Sequence, residues 1–181
     1  GTSYFNVPKT GESFIFDFTK SFRIEMSIKT SSLDTMGLFS RIDDNWIEGA
    51  KGFFLSNGKL LFNAHSIGAA SGFAYLADNY WHDIAFEYDD VTEMIYLYVD
   101  GWLDGSASVP NMSTVSDDFD IYIGTRMTNY YDGLMKNVKI YQNTDKAYAP
   151  KPVNNKLGVS PSLTQVSWLS PDPGYTFDVY F

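Results

Sequence analysis

Apolar and polar residues alternate with a period of two in segment after segment of this chain. Turn residues arrive at short, regular intervals, and no stretch has apolar residues at helical spacing. Together these features predict an all-β protein, an antiparallel two-sheet β-sandwich of the jelly-roll kind. Of the 181 residues, 44% are hydrophobic and 17% aromatic, enough to fill the core of one substantial domain and to exclude disorder.

Residues 22–29 (FRIEMSIK) alternate without a fault and predict a strand with one face in the core and one in water. Residues 37–42 (GLFSRI) form a second, shorter strand. The stretches 52–55 and 60–64 flank Asn57 and Gly58 and predict a hairpin on a type I′ turn, where both central residues take positive φ. Alternation returns at 81–88 (WHDIAFEY) and at 94–99 (MIYLYV), joined by an acidic turn. Asp100 and Gly101 form the next tight turn, and residues 102–106 leave it. Residues 119–124 (FDIYIG) and 131–141 complete the run. Segment 143–155 is polar, holds Pro150 and Pro152, and reads as a linker. Strand pattern resumes at 159–168 and, after the turn at 171–174, at 175–181. The expected organisation is therefore a sandwich over 1–142, a linker over 143–155, and a partial second domain or accessory strands over 156–181. A few strands cannot close a core of their own.

The formal net charge of −9 repels phosphate backbones and anionic membrane surfaces, so neither nucleic acid nor inserted membrane is an expected partner. Acidity suits cation binding, although it serves solubility equally well. With no cysteine, disulfides, thiolate metal sites and thiol nucleophiles are excluded. No apolar stretch is long enough to span a bilayer as a helix. The sequence starts at Gly1 directly in strand-like residues, which suggests a region cut from a longer chain.

Several phrases, in order, carry a family resemblance. Gly1-Thr2-Ser3-Tyr4-Phe5-Asn6-Val7-Pro8 looks like an opening strand ending in "xVP". Phe22-Arg23-Ile24-Glu25 matches a "FTIEFWVK" strand, Trp81-His82-Asp83-Ile84-Ala85 a "WHHVA" strand, and Leu97-Tyr98-Val99-Asp100-Gly101 an "LYVDG" hairpin. Ile123-Gly124 and the stretch from Asp132 to Tyr141 match a closing "IG…FxGxIxxVRIY". Over residues 1 to about 141 the chain thus resembles the laminin-G-like, concanavalin-A-like superfamily. That fold hosts lectins, adhesion modules, glycosidases and lyases, so the resemblance implies architecture more than activity. In the tail, Gln165-Val166-Ser167-Trp168 and Tyr175-Thr176-Phe177-Asp178-Val179-Tyr180 resemble the first strands of a fibronectin type III-like domain.

The residues argue against catalysis. Glycosidases of this superfamily carry carboxylates alternating on one strand in an "ExDxxE" pattern, which is missing here. The nearest acidic cluster, Asp117-Asp118-Phe119-Asp120, has the wrong spacing and no Glu. Only His65 and His82 are available as bases, and His82 sits in the "WH" phrase, where a structural role is expected. For a metal, Asp43, Asp44 and Asn45 cluster on a loop and, with Asp78, offer the hard oxygens that suit Ca²⁺. That loop also resembles the calcium-binding stretch of pentraxins. The second acidic segment those proteins need is replaced by Thr125-Arg126-Met127-Thr128, so a double site is not supported. Capping of turns by Asp and Asn is the competing reading. Flat aromatics beside polar side chains suit sugar rings, and Trp46, Trp102, Asn129, Tyr130 and Tyr131 are the loop-borne candidates. Packing of Trp46 and Trp102 over the sandwich ends is the alternative, whereas Trp81 and Phe53 are expected in the core.

The function expected from this reading is a non-catalytic carbohydrate-binding or adhesion module of a secreted, cell-surface or virion protein. Its partner is a glycan or glycoprotein, with Ca²⁺ as the candidate cofactor. Neighbouring domains of the same protein are further expected partners. A structural or protein-interaction module in a surface or phage assembly is the alternative, and a polysaccharide hydrolase or lyase a lesser one.

Overall fold

The structure, a computed structural model, describes residues 4–7, 17–42, 48–110, 112, 120–126, 128–142, 148–151 and 167–169. The chain divides into two units, Gly1–Asn143 and Thr144–Phe181.

The first unit begins with β1 (Phe5–Val7), β2 (Phe22–Lys29), β3 (Met36–Arg41), β4 (Lys51–Ser56), β5 (Lys59–Ala64) and β6 (Gly68–Ser71). It continues with β7 (His82–Asp89), β8 (Met94–Val99), β9 (Trp102–Ser108) and β10 (Ile121–Ile123). The short pair β11 (Thr125–Arg126) and β12 (Asn129–Tyr130) precedes the long β13 (Leu134–Gln142). One sheet has six strands in the order β1–β10–β3–β4–β5–β6, and the other five in the order β13–β2–β7–β8–β9. All neighbouring pairs are antiparallel. This is the two-sheet antiparallel sandwich that the alternation predicts.

Local chemistry sets the turns. Asn57 and Gly58 take φ of 51° and 71°, and Asp100 and Gly101 take 51° and 83°, the double positive φ of type I′ hairpins. Both hairpins therefore keep the register that sends alternate residues inward. From the five-stranded sheet the core receives Ile24, Met26, Ile84, Phe86, Ile95 and Leu97; from the six-stranded sheet it receives Phe39, Phe53, Leu60 and Phe62. Phe53 is the hub. Its ring stacks on Phe86 of the opposite sheet at 4.1 Å and lies 4.9 Å from Phe62 and 6.1 Å from Phe22.

The two sheets differ on their outer faces. Strands β3 and β4 are buried on both sides, which is why residues 52–55 read as a continuous apolar run. The β11–β12 pair contributes to this cover. Ser40 of β3 donates to the Thr125 carbonyl at 2.8 Å, and the Arg126 guanidinium lies 4.8 Å over the Phe54 ring. Gly37 is required there, since a Cβ at that position would fall 2.1 Å from the Thr125 backbone. By contrast, β8 alternates between core and partly exposed residues, and with the outward Asp83 and Glu87 of β7 it leaves the outer face of the five-stranded sheet open to solvent.

Within the second unit, β14 (Tyr148–Lys151) pairs antiparallel with β15 (Ser167–Leu169). Strand β14 falls inside the segment that composition marked as linker. The turn at 171–174 and the strand at 175–181, on which the fibronectin-like resemblance partly rests, lie outside the described residues.

Candidate functional site

The open face of the five-stranded sheet holds a hollow with a cavity volume of about 490 Å³. Register explains it. Lys139, Glu25, Ala85, Tyr98 and Leu103 form one row across all five strands. Ala85 is the only one of the five with no side chain beyond Cβ, so the row dips at the central strand. The next row runs Tyr141, Arg23, Glu87, Tyr96 and Ser106. On the other side Ser27 pairs with Asp83, and the Asp100–Gly101 turn closes the rim. A β-bulge between Lys136 and Lys139, with Asn137 at φ 54°, brings Asn137 into the lining.

The polar groups of the hollow brace one another. Arg23 donates from Nε to Glu25 (2.7 Å) and from Nη1 to Glu87 (2.9 Å), with its guanidinium 5.2 Å over the Tyr98 ring. Burial works against the charge of Arg23, but its bonds to Glu25 and Glu87 outweigh that and raise its pKa. Burial, reinforced by Glu87, raises the Tyr98 pKa, which keeps the phenol protonated as a hydroxyl donor. Ser27 donates to Asp83 at 2.6 Å, and Asn137 donates to Ser27 at 3.4 Å.

At the rim, His82 lies between two carboxylates. Its Nδ1 is 2.8 Å from Asp100, and its Nε2 is 3.2 Å from both oxygens of Asp78. Desolvation disfavours the charged ring, yet Asp100 and Asp78 more than offset this, and the His82 pKa is raised. Asp100 also accepts the Asp83 amide at 2.9 Å, so the same carboxylate ties the histidine to the hollow. His82 thereby links the β8–β9 turn to the start of β7.

Among the described residues, those predicted as a site do not assemble in one place. Trp102 is 67% exposed and opens β9 just beyond the turn that rims the hollow. Asn129 and Tyr130 lie elsewhere, in the β11–β12 pair, with the Tyr130 ring 5.8 Å from Tyr4. Tyr131, expected on a loop surface, is instead only 6% exposed and belongs to the core cluster. Tyr130 and Tyr131 are consecutive at the end of a strand and cannot both face outward. Trp46 and the candidate metal ligands Asp43, Asp44 and Asn45 lie outside the described residues. Asp78 does not present free oxygens to a cation: they face His82, and Oδ1 accepts the Tyr80 amide at 2.9 Å. Among the described residues no three His, Asp or Glu side chains are grouped to hold a metal.

Trp81 also differs from expectation. It is 40% exposed rather than in the core, and the Lys136 ammonium sits 4.0 Å over its ring. The signal was available in the alternation: with Ile84, Phe86 and Tyr88 inward, Trp81 shares the outward parity of Asp83, Ala85 and Glu87. The same parity argument, applied to Arg23, Glu25, Ser27 and Tyr98, marks most of the hollow. Single-motif reading missed these residues because each is an ordinary surface residue of its own strand.

No curated protein sequence matches the chain. Among solved structures, domains LG4-5 of the mouse laminin alpha1 chain align with a TM-score of 0.55 at 19% identity, over 77% of this chain and 39% of that one. The CBM40 of a Ruminococcus gnavus IT-sialidase aligns with a TM-score of 0.59 at 14% identity, over 69% and 77%. The receptor-binding domain of botulinum neurotoxin D aligns with a TM-score of 0.56 at 12% identity, over 77% and 38%. The chain thus spans about two fifths of the laminin and neurotoxin structures, and at these identities the likeness is one of fold. Residues 1–147 match the family model described as the concanavalin A-like lectin/glucanases superfamily. With that match covering most of the chain and the two antiparallel sheets beneath it, this protein belongs to the concanavalin A-like lectin/glucanase superfamily.

Proposed function

We propose that this chain is a non-catalytic carbohydrate-binding or adhesion module and that its glycan sits in the hollow over Ala85. The supporting observation is the contrast between the sheets: β3 and β4 of one are buried on both sides, whereas the other holds an open, polar depression of about 490 Å³. That volume lies within the range of small-ligand sites. Glu25, Asp83, Asp100 and Asn137 supply acceptors and donors for hydroxyls, and Tyr98 adds a neutral phenol. The neighbours in fold include a sialidase CBM40 bound to sialyllactose and a toxin receptor-binding domain, which agrees with surface recognition as the role. A glycosidase needs one carboxyl free to act as acid, and Glu25 is already bonded to Arg23.

The proposal places the protein outside the cell, with a tail that resembles the first strands of a fibronectin type III-like domain. Among the described residues no helix is long and apolar enough to cross a membrane. Calcium at Asp43, Asp44 and Asn45 remains part of the proposal on sequence chemistry alone. Glycan-array screening of the whole chain, with and without EDTA, tests it. Binding that Asp83→Ala abolishes is the expected result. Silence across a broad array, or binding unaffected by Asp83→Ala and Ala85→Leu, overturns the assignment. Loss of binding in EDTA supports the calcium element, and indifference to EDTA removes it.

A second reading, an assembly module, draws on exposed apolar residues: Phe73 and Leu103 are exposed along with Trp102. Concentration-dependent self-association lost in Phe73→Ser and Trp102→Ser variants would favour it.

A further inference from the structure

We infer that the hollow selects glycans that carry no negative charge and discriminates against sialylated and sulfated ones; this rests on the carbohydrate-binding reading above. The lining contains three carboxylates, Glu25, Asp83 and Asp100, against two cations, Arg23 and Lys139. A further carboxylate, Glu87, adjoins it through Arg23.

Arg23 is poorly placed to receive an anion. Proteins recognise carboxylate and sulfate best with the two-pronged face of an arginine. Here the Arg23 charge is already balanced, with Nε on Glu25 at 2.7 Å and Nη1 on Glu87 at 2.9 Å. Lys139 stands directly opposite Glu25 in the β13–β2 register, on the edge strand of the sheet, while Glu25 itself is bonded to Arg23. An acidic sugar entering the hollow would meet Asp83 on the central strand and Asp100 on the β8–β9 turn, with Lys139 on the edge strand as the lining cation outside the Arg23 brace. A neutral sugar meets the same groups as acceptors. Each ionised carboxylate can accept several hydrogen bonds; Ser27 holds Asp83, and the Asp83 amide and His82 hold Asp100. The net charge of −9 adds a long-range repulsion of the same sign.

One uncompensated charge about 7 Å from a carboxylate weakens binding roughly threefold in water and about tenfold at an effective dielectric of about 35, the value for an open, solvated hollow lying between those of water and of a protein surface. Salt should narrow that gap. The test is an array of paired oligosaccharides, each neutral structure beside its sialylated and sulfated counterparts, probed with the whole chain at low and at physiological ionic strength. The expected result is preference for the neutral member by threefold to tenfold per added charge, shrinking as salt rises. Glu25→Gln combined with Glu87→Gln releases Arg23 and should raise relative binding of the acidic members by a similar factor. Equal or tighter binding of acidic glycans by the unaltered chain, or a preference insensitive to salt, overturns the inference while the carbohydrate-binding function stands. Absence of binding to any member overturns that function, and the inference with it.

Discussion

Replacing Arg23 with alanine probes the central brace of the open sheet. The side chain makes two charge-assisted hydrogen bonds, to Glu25 and Glu87, and a cation–π contact with Tyr98. The pair with Glu25 is 32% exposed on both sides and is screened by solvent, so its share is about 0.3–0.5 kcal/mol. Glu87 is 16% exposed, which places that pair near the upper end for surface ion pairs, about 1 kcal/mol. The contact with Tyr98 adds about 0.5–1 kcal/mol. The variant also leaves Glu25 and Glu87 on one face without their shared cation. Arg23→Ala should therefore destabilise the chain by about 2–3 kcal/mol, and Arg23→Lys by less, because an ammonium cannot serve both carboxylates and the ring in one geometry. The assay is urea unfolding followed by near-ultraviolet circular dichroism. Double-mutant cycles should give a larger coupling of Arg23 to Glu87 than to Glu25. A loss below about 0.5 kcal/mol, or a larger coupling to Glu25, refutes the reasoning that burial decides which pair matters.

Three further outcomes are expected. Ala85→Leu should fill the hollow and weaken glycan binding at least about tenfold, which calorimetric titration checks. Phe53→Ala removes the ring that touches Phe22, Phe62 and Phe86 and should cost about 3–5 kcal/mol in urea unfolding. The raised pKa of His82 means that the folded chain binds the imidazolium proton more tightly than the unfolded chain does. Its contribution to stability is therefore complete below the ordinary histidine value of 6.5 and is lost as pH rises through the folded-state pKa. Melting temperature should fall across that interval, and His82→Gln should remove this step; a proton NMR titration of the ring locates it.

Much of the fold was legible because period-two burial is written directly into residue order. The faultless alternation of 22–29, the positive-φ pairs Asn57-Gly58 and Asp100-Gly101, and the family phrases define strands and turns without reference to any distant contact. The candidate site was much less legible. Side-chain chemistry alone points to loop aromatics such as Trp102, Tyr130 and Tyr131, because a single strand shows its outward residues only as ordinary surface. Tyr131 went into the core and Tyr130 to the β11–β12 pair, and neither side is marked in the local sequence.

Residue order alone determined which side chains of each strand share a face, since alternation follows from the geometry of the extended chain. Tertiary structure decided which outer face stays open and which residues meet on it. Lys139, Glu25, Ala85 and Tyr98 are scattered over more than a hundred residues of sequence and become neighbours only through the order β13–β2–β7–β8. Strand order is a property of pairing between distant segments. The hollow it creates, with an alanine floor and a braced arginine, therefore exists only once the sheet has formed.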